Sequence, residues 1–342
     1  RGLFLCLHYI VFPRGCQTRD GGCISSREGM VARVAASLKK QTAILAMANG
    51  YTRGLGFLLR LALARCMGAE ALGVMELTAA VSMLALTPVT SGTPAAMSRL
   101  TAKHPACDQR QVLLAGRALV LRIARIVTPL LLVLSPLLAR LLGDVRTLPG
   151  IVCAAPAIPL LGLCSVYCGW YYGREDTRLP ALCEATEQTV RLALSLVLLA
   201  ALTGVPLAWR AAAPQAAEGL AALCAVSMMR RASHLPRLRT EPSRALQQEL
   251  FQLCAPAMLS RLCVTGTRAL NAVLLPACLR LSGLSASAAT SQMGLLSGMA
   301  MPLLMLPSVF TGALGMVASP AVSRREEDAC QLRRTVRRML GW

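Results

Sequence analysis

Two arginines, Arg53 and Arg60, lie inside the first long apolar block of the sequence. They are seven residues apart, almost two turns of an α-helix, so both guanidinium groups are predicted on one face. Gly54 and Gly56 leave space beside Arg53. An arginine inside the hydrocarbon costs roughly 2.5–3.5 kcal/mol, so it usually faces a partner or a watery cavity. Because a guanidinium can bind phosphate oxygens with two parallel hydrogen bonds, this face is a candidate diphosphate site.

A second pair, Arg261 and Arg268, repeats the seven-residue spacing in a later apolar block. Facing the first pair across an interface, these residues would complete a cationic cavity. Two alternatives stay open. The first pair could extend to the membrane interface or form ion pairs with Glu70 or Glu76, and Arg261 could lie near the cytoplasmic head groups.

A third polar group, Glu187, Gln188 and Arg191, lies in the fifth apolar block. Glu187 and Arg191 have the i, i+4 spacing of an intrahelical ion pair, which predicts a structural clamp. The functional alternative is that Glu187 or nearby Glu184 takes up a proton or cation during a transport cycle. Glu76 is a lesser candidate for the same role.

These polar groups are embedded in a strongly apolar chain. Hydrophobic residues make up 55% of the 342 residues and charged residues only 15%, against about 25% in soluble domains. The apolar residues form blocks of about 20, which as helices cross a hydrocarbon core of roughly 30 Å. The sequence therefore predicts an all-α integral membrane protein.

Composition also excludes several function classes. The net charge is +20, but aromatic residues are only 4%, so stacking surfaces for nucleic acid are nearly absent. The basic residues lie largely in short connections, which indicates a positive-inside topology and attraction to anionic membrane lipids. The 14 cysteines form no Cys-x-x-Cys pair, so a metal or disulfide framework is not expected. Nothing resembles a nucleophile elbow, a Walker loop or a dinucleotide turn, so we expect neither enzyme activity nor a cofactor.

The apolar blocks and the basic connections predict eight spans with a cytoplasmic N-terminus. Lys and Arg are abundant in alternate connections and sparse in the others, as the positive-inside rule requires. The predicted helices are 41–64, 74–98, 112–139, 149–172, 180–203, 216–234, 249–279 and 290–320.

The predicted domain boundaries follow from these spans. Residues 1–29 are expected to be extraneous or disordered, and residues 30–240 to form a first six-helix lobe. The end of the first helix pair, Gly92 to Arg99, is echoed by Ser319 to Arg324 at the end of the last pair. Such repeats are expected of two-lobed transporters. Residues 241–342 are therefore predicted to begin a second, truncated lobe, with helices 7 and 8 and the lead-in to a ninth.

Three segments, in chain order, resemble the stage V sporulation protein B family of polysaccharide exporters, related to the MurJ-like (MviN) lipid II flippases and more distantly to MATE exporters. They are residues 49–77, 167–194 and 298–323. The resemblance implies a bundle of two six-helix lobes. In the MurJ-like relatives, helix-1 arginines line the central cavity and are needed for flipping. Arg53 matches the first of them by its Thr-Arg-x-x-Gly-Phe context, whereas Arg60 falls one position from the second.

The leading hypothesis is therefore a monomeric flippase of the MOP superfamily in the bacterial cytoplasmic membrane. It would move an undecaprenyl-pyrophosphate-linked oligosaccharide by alternating access, coupled to Na⁺ or H⁺. One alternative is a MATE-type, cation-coupled multidrug exporter, which would need an acidic cavity. The other is a membrane scaffold for spore or wall assembly that transports nothing.

Overall fold

The computed structural model describes residues 23–105, 108–233 and 243–304, with side chains from Met47 onward. The chain divides into two units, residues 1–42 and 43–342; α1 begins in the first, and the contacts described below lie in the second. The described elements are helical. In chain order they are α1 Cys23–Thr90, α2 Thr93–Lys103, α3 Gln109–Leu141, a 3₁₀ turn Val145–Thr147, α4 Leu148–Ala154, α5 Ala157–Gly173, α6 Arg178–Ala201, α7 Leu207–Ala232, α8 Arg244–Leu281, α9 Ala286–Met293, a π-helix Gly294–Ala300 and α10 Met301–Leu304.

Two glycines with positive φ interrupt the helical path of the chain. Gly68 has φ 78° and ψ 173°, which divides α1 into a first arm that ends at residue 67 and a second arm, residues 69–90. Arg60 and Glu76 would be about 24 Å apart on one straight helix, yet their side chains touch at 2.8 Å, so the chain folds back at Gly68. Gly92, with φ 77°, separates the second arm from α2. Only glycine adopts such backbone without strain.

The helices pack around two apolar cores. Burying these side chains removes apolar surface from solvent or lipid and fills the space between helices at high density. The larger core joins the second arm to helices α2 to α9, and the smaller joins both arms of α1 to α6 and α7. Fully buried members are Leu77, Met97, Leu113, Ile151 and Tyr167 in the larger core and Leu63 and Leu72 in the smaller.

The helix bundle has two ends, the Gly68 end and the Lys103 end. The turns at Gly68, 142–147, 202–206 and 282–285 share the Gly68 end. Arg146 binds Glu70 there, and Arg210 donates to the Cys66 carbonyl oxygen at 3.0 Å. The opposite, Lys103 end carries the turn after α5, where Arg174 stacks 4.4 Å from the Trp170 ring centroid.

Several helices are long and apolar enough to cross a membrane. Within the described ranges these are Met47–Lys103, which contains the Gly68 fold-back, Gln109–Leu141 and Arg244–Leu281. The bent pair Val145–Ala154 and Ala157–Gly173, at 41°, counts as a fourth if the two helices cross as one span. Large apolar side chains also face outward on α3, such as Val133, which is 77% exposed. Such an outer surface suits lipid.

The eight predicted spans correspond in order to helical segments, although the bounds differ. The sixth begins at Leu207 rather than at residue 216, and the eighth is described only as far as Leu304. Residues 1–22 of the predicted N-terminal segment lie outside the described residues, and residues 23–29 belong to α1. Residues 305–342, with the end of the eighth span and the lead-in to a ninth, also lie outside them.

Candidate functional site

The first arm carries two arginines with different surroundings. Arg53 is exposed and has no hydrogen bond or ion pair with any described residue. Side chains built at Gly54 and Gly56 would meet no atom within 4 Å, so the face around Arg53 is open. Arg60, by contrast, donates from Nη1 to Glu76 Oε1 at 2.8 Å, and its side chain is 40% exposed. The alternative pairing with Glu76 is therefore present for Arg60, and Arg53 is left available.

Arg261 and Arg268 of α8 are both exposed and, like Arg53, have no partner in the part of the chain that the structure describes. Both lie about 50° around the helix from Thr265. The Thr265 hydroxyl is 3.2 Å from that of Thr87, on the second arm. The structure therefore places both arginines beside the seam between α8 and the second arm.

The four arginines lie at different distances from the Gly68 end. Together we call them the arginine ladder: Arg53, Arg60, Arg261 and Arg268. At 1.5 Å per residue, Arg60 lies about 12 Å along its helix from Gly68, and Arg53 about 22 Å. On α8, Arg268 lies about 21 Å and Arg261 about 32 Å from the turn at Ser282. Measured along their helices, Arg53 and Arg268 thus lie at similar depths from turns of the Gly68 end, and Arg261 lies further toward the Lys103 end.

A cluster of three carboxylates and two arginines joins both arms of α1 to α6 and α7. Besides the pair between Arg60 and Glu76, Arg191 Nη1 lies 3.3 Å from Glu218 Oε1. Glu187 lies one helical turn before Arg191, within electrostatic range of Arg191 and Glu218. The predicted partner of Arg191 was Glu187 on its own helix. The structure instead pairs Arg191 with Glu218, because α7 packs directly beside α6.

Polar side chains near this cluster are only partly satisfied. Gln215 is buried and donates from Nε2 to the Met75 carbonyl oxygen at 3.4 Å, but its Oε1 has no partner among the described residues. Gln188 is half-buried, and its side chain makes no hydrogen bond with the described part of the chain. The Tyr51 hydroxyl lies 3.0 Å from that of Thr189, which ties the first arm to α6. The cluster thus lies among polar groups that a small ligand could contact.

A second charged group lies at the Gly68 end. Arg146 binds Asp144 through Nε at 2.9 Å and Nη2 at 2.8 Å, and binds Glu70 through Nη1 at 2.7 Å. Two hydroxyls of α9 complete it: Ser287 donates to Glu70, and Thr290 donates to Asp144 at 3.3 Å. Burial would raise the pKa of Asp144, but the hydrogen bonds from Arg146 outweigh burial and hold that pKa below its ordinary value.

Arg280, at the end of α8, contacts the same turn. Its Nη1 donates to the Gly143 carbonyl oxygen at 3.2 Å and its Nη2 to the Leu142 carbonyl oxygen at 3.5 Å. Gly143 has φ 72°, and a side chain there would collide with the Arg280 guanidinium. Sequence reasoning counted Arg146 and Arg280 only as charges of connections and missed this group. The available signal was Asp144 and Arg146 directly after a turn glycine.

No group of three or more His, Cys, Asp or Glu side chains that could hold a metal ion occurs among residues 47–105, 108–233 and 243–304. The nine cysteines in those ranges are free thiols. The chemistry of this part of the chain is therefore that of charged and hydroxyl groups.

Comparison with known proteins decides the family. Residues 38–326 match the family described as polysaccharide biosynthesis protein. The chain belongs to this family. It is 29% identical over 303 residues to stage V sporulation protein B of Bacillus subtilis (strain 168), with 84% of this chain and 58% of that protein covered. This member of the polysaccharide biosynthesis protein family therefore spans about 58% of the length of that relative.

A solved structure shares the fold. It is described as the inward-facing conformation of a multidrug resistance MATE family transporter of the MOP superfamily. The TM-score is 0.59 at 15% identity, with 85% of this chain and 65% of that chain covered. These findings confirm the predicted all-α membrane fold of MATE type and the resemblance to the stage V sporulation protein B family. The boundary between a six-helix lobe and a second lobe stays a prediction.

Proposed function

We propose that this family member takes part in flipping a pyrophosphate-linked lipid oligosaccharide across the bacterial cytoplasmic membrane, as a transporter rather than an enzyme. The N-terminus is placed in the cytoplasm, since the basic connections alternate along the chain. The protein would act as a monomer, with anionic lipids around its basic connections. Alternating access of two lobes would move the head group, while the lipid tail stays in the bilayer.

The observation that carries the proposal is the set of partnerless arginines of the ladder: Arg53, Arg261 and Arg268. Within residues 47–105, 108–233 and 243–304 no carboxylate neutralises them. An uncompensated arginine in a span is costly and usually faces a water-filled cavity or an anion, so these three support a site for an anion from outside the chain. A diphosphate supplies several acceptor oxygens, and guanidinium groups at similar depths could bind it bidentately.

The ionic cluster would supply coupling to Na⁺ or H⁺. Glu76, Glu187 and Glu218 carry one negative charge more than Arg60 and Arg191 can neutralise. An unpaired carboxylate inside a span is unfavourable, so a proton or a sodium ion would bind at Glu187, within electrostatic range of Arg191 and Glu218. Arg60 belongs both to the ladder and to this cluster, so head-group binding and cation binding would influence each other.

The second candidate, a MATE-type exporter of cationic drugs, is favoured by the fold. Such an exporter would need acidic side chains at the positions where this chain has partnerless arginines. Arg53, Arg261 and Arg268 disfavour it, because like charges would repel a cationic drug. A dependence of cationic dye efflux on Glu76, with no response of lipid flipping to Arg53, would select this candidate.

The test is a flipping assay with the full natural chain in proteoliposomes and a fluorescent polyprenyl-pyrophosphate oligosaccharide. We expect Arg53→Ala and Arg268→Ala each to reduce the rate by about tenfold or more, since a lost charged hydrogen bond is worth roughly 1.5–3 kcal/mol. Arg65→Ala is the matched control, because Arg65 is an exposed arginine on another face of the same arm. Undiminished flipping by both ladder variants would remove the proposal.

A further inference from the structure

Two sets of helices meet at the Gly68 end through polar contacts. One set comprises α1 and the turn between α3 and α4, with Glu70, Asp144 and Arg146. The other comprises the end of α8 and the start of α9, with Arg280, Ser287 and Thr290. Four hydrogen bonds cross between them: Ser287 to Glu70, Thr290 to Asp144, and Arg280 to the carbonyl oxygens of Gly143 and Leu142.

Glycine allows the helices to approach closely beside these hydrogen bonds. A side chain at Gly294 would lie 2.6 Å from the Gly73 nitrogen, and one at Gly298 would lie 2.6 Å from Leu72 Cδ2. A side chain at Gly73 would collide with the Thr290 carbonyl oxygen. Gly294 and Gly298 are four residues apart on one helix face, the small-residue spacing of close helix contacts in membranes. The seam between α9 with its π-helix and the second arm is therefore tight at this end.

The same segment becomes exposed toward the Lys103 end. Met293, Gly294 and Gly298 are buried, whereas Leu303 is 51% exposed and Leu304 is 68% exposed within the described residues. The ladder arginines without a partner lie on this more open side, about 21 Å or more from the Gly68 end. The seam thus lies between the cations and the Gly68 end.

The charges at the seam are arranged so that it can open at small cost. Arg146 binds Glu70 and Asp144, and all three residues belong to the α1 and α3–α4 side. Separation would break the hydroxyl bonds from Ser287 and Thr290 but would leave both carboxylates paired with Arg146. Neither carboxylate is left unpaired, and leaving one unpaired is the costly event when an ion pair is broken. Arg280 would lose its two acceptors across the seam and keep the hydrogen bond from Nε to the Pro276 carbonyl oxygen of its own helix. At a membrane surface, water can replace the two hydroxyl donors.

We propose that Glu70, Asp144, Arg146, Arg280, Ser287 and Thr290 form a reversible latch that closes the substrate path at the Gly68 end. The latch rests on the proposed function, because a transport path must open alternately at its two ends. Asp144 and Arg146 are positioning residues that hold the Glu70 carboxylate where it accepts from Ser287. The hydroxyls of α9 and the Arg280 guanidinium are the parts that separate from them. The glycine seam closes with the latch and opens with it.

The experiment measures hydrogen exchange of the full natural chain in lipid nanodiscs without substrate. The double variant Ser287→Ala/Thr290→Val removes two crossing hydrogen bonds and keeps the carboxylate–arginine group. We expect amides of residues 69–76 and 286–297 to exchange about tenfold faster, since the open population should rise by that factor. Residues 109–141 and 157–173 should exchange as in the unaltered protein. Arg280→Ala should accelerate the same two segments.

Ser282→Ala is the matched control, because among the described residues its hydroxyl bonds only to the Leu279 carbonyl oxygen, at 2.8 Å, at the end of its own helix. Unchanged exchange in folded latch variants would overturn the proposal. Uniform acceleration along all helices would also overturn it, since that result would mark these contacts as part of the general fold. The measurement needs no transport, so a protein that fails to flip lipid could still show the latch. Failure of the latch would likewise leave the Arg53 result intact.

Discussion

The Gly68 end and the arginine ladder place the same residue type in opposite surroundings. At the Gly68 end, Arg146 binds two carboxylates and Arg280 binds two carbonyl oxygens. On the ladder, Arg53 and Arg268 have no partner among the described residues. A partnered arginine contributes to the folded state, whereas a partnerless one in a span is a cost that folding does not explain. The comparison separates structural arginines from candidate ligand-binding ones.

Arg60 lies between these two classes. It is on the ladder, but it forms an ion pair with Glu76, and its Nη1 also lies 3.5 Å from the Ser297 carbonyl oxygen in the π-helix. An arriving diphosphate would compete with Glu76 for the guanidinium. Arg60 therefore connects ligand binding with the ionic cluster and with the seam at the π-helix.

The largest effect on stability is expected from Asp144→Ala. Asp144 accepts three hydrogen bonds from Arg146 and one from Thr290, and its side chain is only 7% exposed. Its loss should lower the free energy of unfolding by about 3 kcal/mol, measured by denaturant titration in detergent. Arg140 is an exposed arginine at the end of α3 whose side chain has no partner among the described residues. Arg140→Ala should change the free energy of unfolding by less than about 0.5 kcal/mol. Equal effects of the two substitutions would end the distinction between partnered and partnerless charges.

Glu76→Gln should make the Arg60 guanidinium available to a diphosphate, and it therefore tests the distinction between partnered and partnerless arginines. The amide no longer neutralises the guanidinium, so the affinity for a polyprenyl pyrophosphate should rise about threefold, while stability falls slightly. Titration of a fluorescent pyrophosphate lipid measures the affinity. The control is Glu184→Gln, which alters a half-buried carboxylate of α6 that forms no ion pair with the described residues. A loss of affinity in Glu76→Gln would mean that the pair itself shapes the site.

The pH dependence of the unfolding midpoint should reflect Asp144 at the Gly68 end and not the arginines of the ladder. The pKa of Asp144 is lowered in the folded protein, against 3.8 as its ordinary value. Its contribution is therefore complete above pH 3.8 and is lost as the pH falls through the lowered pKa. Unfolding midpoints measured above and below that pH should show a smaller drop for Asp144→Asn than for the unaltered protein. An equal drop in both would assign the acid sensitivity to other groups.

The smallest effect is expected at the Lys103 end. Lys103 and Glu249 form an ion pair at 2.8 Å, but their side chains are 66% and 39% exposed. Solvent screens such a pair, so Lys103→Ala should leave the unfolding midpoint unchanged within error. A double-mutant cycle with Glu249→Ala should show no coupling. A clear coupling would show that this surface pair, unlike others of its kind, holds α2 against α8.

The sequence predicted the order of the helices, but it placed the start of α7 too late. The predicted start at residue 216 excluded Arg210 and Gln215 from the span because polar residues lower the local hydropathy. In the structure α7 begins at Leu207. Arg210 donates to the Cys66 carbonyl oxygen and Gln215 to that of Met75, so each has one hydrogen-bond partner far away in the sequence. A hydropathy scale gives a polar residue the same value whether or not it has a hydrogen-bond partner, so it left these two residues outside the predicted span.

The sequence by itself determined that Arg53 and Arg60, and likewise Arg261 and Arg268, share a helix face, because helical period depends only on local backbone geometry. It also determined that these faces lie within apolar spans. Only the tertiary structure decided which arginines have partners. Arg60 meets Glu76 through the fold-back at Gly68, Arg191 meets Glu218 across two helices, and Thr290 meets Asp144 from a distant part of the chain. Ion pairs depend on distances of a few ångströms between remote residues, which spacing along the chain does not fix.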